Sequence, residues 1–447
     1  MADNKDKKFL NVPALREQND ACISSAEWEE QVTKAQPKGN VPALRFPEFT
    51  DEWKKSRLSD FATKITKKNK GNVVKNVLCN SANFGLVPQD NYFDREIANT
   101  ENTDSYYVIK NGDFVYNPRK STAAPFGPVN IYEGEKIGII SPLYLCFSVH
   151  NIYPKFLYYR FKSSVWHPYV YAHGDSGVRF DRVSIKDDVF FNMPICEPTQ
   201  EEQIKIAALL QLIDERISTQ NKIIEDLKKL KSAIAETLFC APKESMPAKR
   251  LSTYSKEWKL VKLSDICQRV QTKNTGSQCR RVLTIAAQHG LVNQEDFFNK
   301  TVASENLEGY YLLQKGDFAY NKSYSGDYAW GAIKRLERYE QGVLSPLYIC
   351  FRPDTAKVDA DYLTHYFESK KWHKGIADIA GEGARNHGLL NISVIDFFNT
   401  IHRIPDLDEQ KNIAQIINSL SSKLSCEQHI MQSLTMQRNY LLHKMFI

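Results

Sequence analysis

The chain has 447 residues and a mass of 51.4 kDa, which leaves room for two or three domains with sizeable cores. It has no run of about 18 apolar residues, and its first residues are polar, so we expect a cytoplasmic protein with no membrane span or secretory signal. The nine cysteines include no CxxC pair, which argues against a zinc site and favours reduced thiols. A net charge of +6 is too modest to indicate nucleic acid by itself.

Residues 1–39 are polar and without periodicity, and we interpret them as a weakly ordered leader. The hexamer NVPALR occurs in this leader at Asn11 to Arg16 and again at Asn40 to Arg45. A docking segment and an accident of the gene both remain open as explanations.

From residue 50 onward the chain is one long duplication. Matching blocks recur in the same order at an offset that drifts only from 204 to 207 residues. The blocks are EWKKSRLSDFA at Glu52 and EWKLVKLSDIC at Glu257, GDFVYN at Gly112 and GDFAYN at Gly316, and GIISPLYLCF at Gly138 and GVLSPLYICF at Gly342. Each copy therefore predicts one globular unit followed by one long helix.

Within each unit, short β-rich runs such as SPLYLCF alternate with one helical stretch, which predicts a mixed α/β (α+β) domain dominated by strands and loops. Large apolar residues shared by the copies, such as Trp53 and Trp258, indicate the core. The predicted segments are a leader at 1–39, a first globular domain at 40–199, a long helix at 200–240, a second globular domain at 241–404 and a second long helix at 405–447.

The two predicted helices carry apolar residues at the spacing of a heptad, with polar exceptions at the same two places. The first seam is Ile206, Leu210, Ile213, Ile217, Gln220, Ile224, Leu227, Lys231, Ile234 and Leu238, and the second is Ile413, Ile417, Leu420, Leu424, Glu427, Met431, Leu434, Arg438, Leu441 and Met445. A narrow apolar seam cannot be buried by one helix alone, so we expect the two helices to pair.

The polar exceptions predict the orientation of this pair. A parallel arrangement would place Lys231 opposite Arg438, whereas an antiparallel one places Lys231 opposite Glu427 and Gln220 opposite Arg438 in a single register. We therefore predict an antiparallel two-helix coiled-coil stalk with a pseudo-twofold axis. The alternative is two unrelated surface helices packed on separate domains.

Three segments at matching places differ sharply between the copies, which suggests two binding surfaces of different specificity on one scaffold. They are Lys64 to Lys75 against Gln271 to Arg281, Pro118 to Lys136 against Lys322 to Glu340, and Gly174 to Arg182 against Gly381 to Gly388. A basic run is most often a solvated surface, but its recurrence at equivalent places favours contacts with DNA phosphates.

Arginine and lysine in these segments are also candidates for reading base edges, although a surface salt bridge is the competing interpretation for each one. The candidate DNA-binding residues are Lys64, Lys67, Lys68, Lys70, Lys75, Arg119, Lys120, Arg179 and Arg182 in the first copy, and Lys273, Arg280, Arg281, Lys322, Lys334, Arg335 and Arg385 in the second.

Sequence signatures of enzymes are missing. The chain has no Walker A motif, no HExxH and no GxSxG, and Asn117-Pro118 does not continue as the motif with which DNA methyltransferases hold a flipped base. We expect no catalytic residues and no metal site in this chain.

The repeated order of these blocks resembles the specificity subunit of type I restriction-modification systems. The resemblance covers nearly the whole chain and includes the helix entries PTQEEQ at Pro198 and PDLDEQ at Pro405. It implies two target recognition domains, each reading one half of a bipartite, asymmetric double-stranded DNA site. It also implies partners: two modification subunits that carry S-adenosylmethionine and methylate adenine, and restriction subunits that use ATP and Mg, with no cofactor on this chain. The alternatives are a non-catalytic duplicated scaffold that binds RNA or acidic proteins, and an enzyme fused to its own recognition domains.

Overall fold

The computed structural model describes residues 39–89, 103–174, 181–286, 290–298, 306–323, 328–380 and 390–447. All but the last residue of the leader expected at 1–39 lies outside the described residues. The chain divides into two compact units, residues 1–217 with 433–447 and residues 218–432, so that each unit holds one globular repeat and part of both long helices.

The described residues of the first unit form short strands and three short α-helices. Its strands are β1 (Lys54–Arg57), β2 (Ala62–Lys64), β3 (Val77–Ser81), β4 (Gly85–Pro88), β5 (Tyr107–Ile109), β6 (Phe114–Tyr116), β7 (Val129–Ile131), β8 (Gly138–Ile140), β9 (Leu145–Val149) and β10 (Pro194–Glu197), and its helices are α1 (Pro154–Lys162), α2 (His167–His173) and α3 (Asp187–Phe191). One sheet has the order β2-β9-β6-β7, a second has the order β4-β3-β8-β5, and β1 pairs with β10. All neighbours are antiparallel except β3 and β8.

The second unit repeats most of this topology, but the counterpart of the second four-stranded sheet is split into two two-stranded sheets. Its strands are β11 (Lys259–Lys262), β12 (Cys267–Arg269), β13 (Leu283–Ala286), β14 (Gly290–Asn293), β15 (Tyr311–Gln314), β16 (Phe318–Asn321), β17 (Ala332–Arg335), β18 (Gln341–Leu344), β19 (Ile349–Pro353) and β20 (Ile401–Ile404), and its helices are α5 (Leu263–Ile266), α6 (Gln294–Phe298), α7 (Ala360–Glu368), α8 (His373–Ile379) and α9 (Val394–Phe398). The order β12-β19-β16-β17 matches the first four-stranded sheet. A parallel bridge between Val282 and Val343 stands where β3 and β8 pair in the first unit.

Buried aromatic rings form the core of each unit in the same arrangement. In the first unit Phe114 stacks on Phe147 with ring centroids 5.3 Å apart, and in the second Phe318 stacks on Phe351 at 5.4 Å. These residues come from the GDF and SPLY blocks, whose strands lie side by side in each four-stranded sheet. The repeated blocks are therefore conserved between the copies because they build the core.

The two long helices are α4 (Gln200–Leu238) and α10 (Leu407–Lys444). In the first unit Leu210 near the start of α4 shares a core with Leu442 near the end of α10, and in the second Leu238 at the end of α4 shares a core with Ile413 near the start of α10. The predicted antiparallel pairing and the mixed α/β fold are confirmed. Among the described residues, no helix has the length and apolar character needed to cross a lipid bilayer.

The polar pairs predicted within the long helices are wrong. Gln220 lies opposite Glu427, to which its amide donates hydrogen bonds at the carboxylate (2.5 Å) and the backbone carbonyl (3.0 Å). Residues at equivalent positions of the two repeats therefore meet. The predicted pairing of Gln220 with Arg438 and of Lys231 with Glu427 does not form, because each charge finds an opposite charge elsewhere. Lys231 approaches Glu368 of α7 at 3.6 Å, and Arg438 pairs with Asp214 on α4.

The second hexamer NVPALR anchors the start of the first unit to both long helices. Pro42 is buried, and the Arg45 guanidinium donates two hydrogen bonds of 2.7 Å to the fully buried Glu202 carboxylate on α4. The Leu44 amide donates to the Lys444 carbonyl of α10 at 2.9 Å. We call this arrangement the Glu202 clamp.

The second unit has the same clamp, built from the matching sequence PAKR. Pro247 is buried, the Arg250 guanidinium donates to both carboxylate oxygens of Glu409 at 2.9 and 2.8 Å, and the Lys249 amide donates to the Thr237 carbonyl at 2.9 Å. Because a buried carboxylate is stable only when it is paired, the clamp requires an arginine at this position of each copy.

Candidate nucleic-acid interface

The lysine-rich loop after β2 is fixed by one buried asparagine. The Asn69 amide donates to the Val74 carbonyl and accepts from the Val74 amide, both at 2.9 Å. Gly71 has a φ of 76°, a region that favours glycine, and its amide donates to Asp104 at 2.6 Å. The backbone of this loop is therefore held in place from inside, while its lysines point outward.

The second unit has the same loop frame. The Asn274 amide donates to the Cys279 carbonyl at 2.8 Å and accepts from the Cys279 amide at 2.9 Å. Gly276 has a φ of 70°, and its amide donates to Glu308 at 3.2 Å. Sequence reasoning treated these loops as variable and basic and missed the frame, although its signal is present as KNKGN at residues 68–72 and KNTGS at residues 273–277.

The frame presents different side chains in the two units. In the first, Lys67, Lys68, Lys70 and Lys75 are exposed. Lys64 differs from them, because it lies 2.5 Å from the Asp187 carboxylate and part of its charge is already neutralised. Four of the five predicted lysines of this loop are therefore presented to solvent on a fixed backbone.

In the second unit the corresponding cations lie against aromatic rings. Lys273 is exposed, donates to the Gly309 carbonyl at 2.7 Å and lies 4.0 Å from the centre of the Tyr311 ring. Arg281 lies 4.5 Å from the centre of the Tyr339 ring, and Arg280 is exposed. These contacts orient the cations without neutralising them.

The loop between β6 and β7 is closed by a glycine that nothing larger can replace. A Cβ on Gly127 would lie 2.1 Å from the Asn117 carbonyl oxygen, and the Tyr116 hydroxyl donates across the loop to the Phe126 carbonyl at 2.9 Å. Gly331 closes the loop between β16 and β17 in the same way, with its Cβ position 2.2 Å from a carbonyl oxygen. The second variable segment of each copy therefore starts from one shared geometry.

This loop meets the third variable segment through backbone hydrogen bonds. The Val183 amide donates to the Pro118 carbonyl and the Lys120 amide donates to the Asp181 carbonyl, both at 2.8 Å. Arg119 and Arg182 face each other in a β-bridge. In the second unit, the Leu390 amide donates to the Lys322 carbonyl at 2.9 Å. The second and third segments are therefore joined in the first unit, and in the second unit the second segment is joined to a residue just beyond the third. Arg179 and Arg385, predicted in the third segments, lie outside the described residues.

In the first unit a cleft of about 670 Å³ lies beside this junction. Arg119 and Lys120 line it together with Tyr106, whose carbonyl accepts a hydrogen bond from the backbone N–H of Asn69, so the cleft adjoins the lysine loop. Tyr144 also lines the cleft. Burial raises the pKa of Tyr144, and the nearby charges of Arg182 and Arg119 act in the opposite direction.

Arg182 carries a buried donor at this junction. Its Nε is buried and has no hydrogen-bond partner among the described residues. A buried guanidinium donor without a partner is costly, so an acceptor supplied by a ligand would stabilise this place.

Lys334 and Arg335 lie in ion pairs inside the second unit, and we assign them a structural role instead of the predicted contact with DNA. Lys334 lies 3.5 Å from Glu368, and Arg335 lies 2.6 Å from Asp361 and 2.7 Å from Glu337. Both side chains are less than one-fifth exposed. They project from β17 toward α7, a direction that their position in the sequence does not reveal.

Glu368 is the centre of this cluster. Burial of its carboxyl favours the neutral form, but the hydrogen bond with His365 and the charges of Lys334 and Lys231 outweigh burial and bring the pKa of Glu368 down to about 2.

Within the described residues, no group of three or more histidine, cysteine or acidic side chains is arranged to hold a metal ion.

Comparison with known proteins identifies a family model and solved structures that resemble this chain. Residues 50–229 match the family model described as the type I restriction modification DNA specificity domain. The crystal structure of a type I restriction-modification system S subunit from M. genitalium has a TM-score of 0.52 at 16% identity and covers 91% of this chain and 99% of that one, which shows a shared fold.

Two further solved structures are more distant. The HsdS subunit from Thermoanaerobacter tengcongensis has a TM-score of 0.46 at 15% identity, with 90% of this chain and 99% of that chain covered. A structure titled for complex assembly and conformational transition of the type I R-M system has a TM-score of 0.49 at 14% identity, with 87% and 96% covered. No curated protein matches the chain. The resemblance drawn from the repeated blocks is confirmed: residues 50–229 carry a type I restriction modification DNA specificity domain, and the chain shares the fold of the S subunit from M. genitalium.

Proposed function

We propose that each unit reads one half of a bipartite, asymmetric double-stranded DNA site. The observation that carries this proposal is one loop frame, built on Asn69 in the first unit and on Asn274 in the second, that presents different cations in each. A shared frame with different side chains is what two readers of different base sequences require. A protein that bound a uniform acidic partner would gain nothing from the difference.

The chemistry of the first unit divides into two parts. The exposed lysines of the loop supply contacts with phosphates, which hold the duplex without reading its sequence. Arg119 and Arg182, which meet beside the cleft, supply the donors for base edges, where a bidentate arginine on guanine is the commonest specific contact. The unpartnered Nε of Arg182 supports this assignment.

The long helices offer apolar surface for partner subunits. In the first unit Leu212, Met436 and Tyr440 are 64%, 56% and 57% exposed, and in the second Leu230 is 48% exposed. Exposed apolar residues along a helix support docking of another protein. We assign this surface to two modification subunits, which bring S-adenosylmethionine, and to restriction subunits that bring ATP and Mg. The specificity family is non-catalytic, and we propose that this chain binds none of these cofactors itself.

A genome-wide map of modified adenines, made with and without this gene, tests the recognition role. We expect one asymmetric, gapped motif to lose its modification when the gene is deleted and to regain it when the gene is restored. A map that stays the same in cells that express an active modification subunit would contradict the proposal.

The bipartite reading has its own test. Inserting seven residues into both α4 and α10 preserves the heptad phase and adds about 10 Å of helix. We expect the gap between the two recognised half-sites to lengthen while each half-site stays the same. An unchanged gap would favour a scaffold in which the helices only hold partner proteins.

A further inference from the structure

The duplicated hexamer gives the chain two copies of the peptide that the Glu202 clamp holds. The copy at Asn40 to Arg45 occupies the clamp, and the identical copy at Asn11 to Arg16 lies in the part of the chain outside the described residues. Neither DNA reading nor docking of partner subunits explains a second copy.

The clamp recognises a short and definite pattern. Pro42 is buried in it, the Leu44 amide donates to the Lys444 carbonyl, and the Arg45 guanidinium pairs with Glu202. Ala43 is exposed. The second unit uses the same pattern with PAKR. In both units the pattern P-A-x-R therefore combines a buried proline with a two-point arginine contact to a buried glutamate near the start of a long helix.

We propose that Asn11 to Arg16 is a second intramolecular ligand of the Glu202 clamp, which docks there when the resident hexamer is displaced. All six residues are identical, so Pro13, Leu15 and Arg16 offer the same side-chain and backbone groups as Pro42, Leu44 and Arg45. The 23 residues that separate the two hexamers add only slowly to the entropy cost of closing the chain. The inference is independent of what the globular units bind.

The residues that follow each hexamer decide which copy holds the clamp in the native chain. After the resident copy, Phe46 packs against the core of the first unit, and Glu48 forms an ion pair with Lys205 of α4, whose Nζ also lies 5.7 Å from the Phe46 ring centre. The leader copy is followed by Glu17 and has no such residues. The copy at Asn40 to Arg45 therefore occupies the clamp unless its own contacts are weakened.

The experiment compares the full chain with R16A, R45A and the double variant. Because Glu202 is fully buried, loss of its only arginine leaves an unpaired buried charge. We expect R16A to leave the thermal midpoint unchanged, R45A to lower it only slightly, and R45A/R16A to lower it by roughly 5–10 °C. Hydrogen exchange gives a direct reading: in R45A, protection should move from the Leu44 amide to the Leu15 amide.

The second clamp supplies the matched control. R250A removes the equivalent arginine from Glu409, where no identical spare hexamer exists, so its effect should be large with or without R16A. Equal midpoints for R45A and R45A/R16A, or a Leu15 amide that exchanges at the same rate in R45A and the native chain, would overturn the proposal. A midpoint of R45A that rises with protein concentration would show docking between chains and would overturn its intramolecular form.

Discussion

Neutralising the exposed lysines of the Asn69 loop should weaken DNA binding in a way that salt reveals. The change is K67Q/K68Q/K70Q/K75Q, which leaves the buried frame of the loop intact because the frame uses Asn69 and backbone groups. Each phosphate contact contributes about 0.9 to the slope of log affinity against log salt concentration. If all four lysines contact phosphates, the slope should fall by about 3.6, so the affinity lost between 50 and 200 mM salt should shrink by roughly 150-fold.

The assay is fluorescence anisotropy of the full chain on a labelled duplex across this range of salt. A control variant with the same change in net charge is K222Q/K228Q/K229Q/K243Q, whose lysines are exposed on or just after α4. We expect the control to change the slope by less than one contact. An equal slope for both variants would mean that net charge, and not the loop, sets the affinity, and it would refute the assignment of these lysines.

Three further predictions concern the frame around the site. Glu368→Gln should lower stability at pH 7 by about 1–2 kcal/mol, a value reduced for a side chain that is 37% exposed. Because its folded pKa is about 2 and its unfolded value is 4.5, this contribution is complete above pH 4.5 and is lost toward pH 2, so the thermal midpoints of variant and native chain should converge as pH falls through this window. Gly127→Ala should cost about 1–3 kcal/mol more than Gly112→Ala in urea unfolding, since both residues have positive φ but a Cβ at Gly112 meets nothing within 4 Å; equal costs would show that the loop opens freely. Asn274→Ala should cost about 2–4 kcal/mol and speed exchange of the Cys279 amide, and unchanged exchange would contradict its role in the loop frame.

The clamp shows how a structural repeat can rest on too few shared residues to be recognised in the sequence. NVPALR and MPAKR share only a proline, an alanine and an arginine, which is too little to align with confidence from one sequence. Once Arg45 and Arg250 are each seen on a buried glutamate at the start of α4 or α10, the match becomes meaningful. Its specificity comes from burial, which a sequence does not record.

The duplication, the mixed fold and the antiparallel helix pair could be predicted from the sequence by itself. The same apolar residues are buried in both copies, so the blocks that contain Phe114 and Phe318 remain recognisable in the sequence. The heptad seam of each long helix must be buried, so it requires a partner helix. These features depend on local pattern and on the order of blocks along the chain. The resemblance to type I specificity subunits rested on the same repeated blocks.

Only the tertiary structure decided the contacts of individual charges. Long side chains reach any opposite charge within several ångströms, so Lys231 pairs with Glu368 of α7 and not with Glu427, and Lys334 turns inward to the same carboxylate. The exposure of Lys68 and Lys70 likewise depends on a buried asparagine that fixes the turn between them. Sequence spacing places a residue on a helix or in a loop, but the direction of a charged side chain depends on neighbours that come from distant parts of the chain.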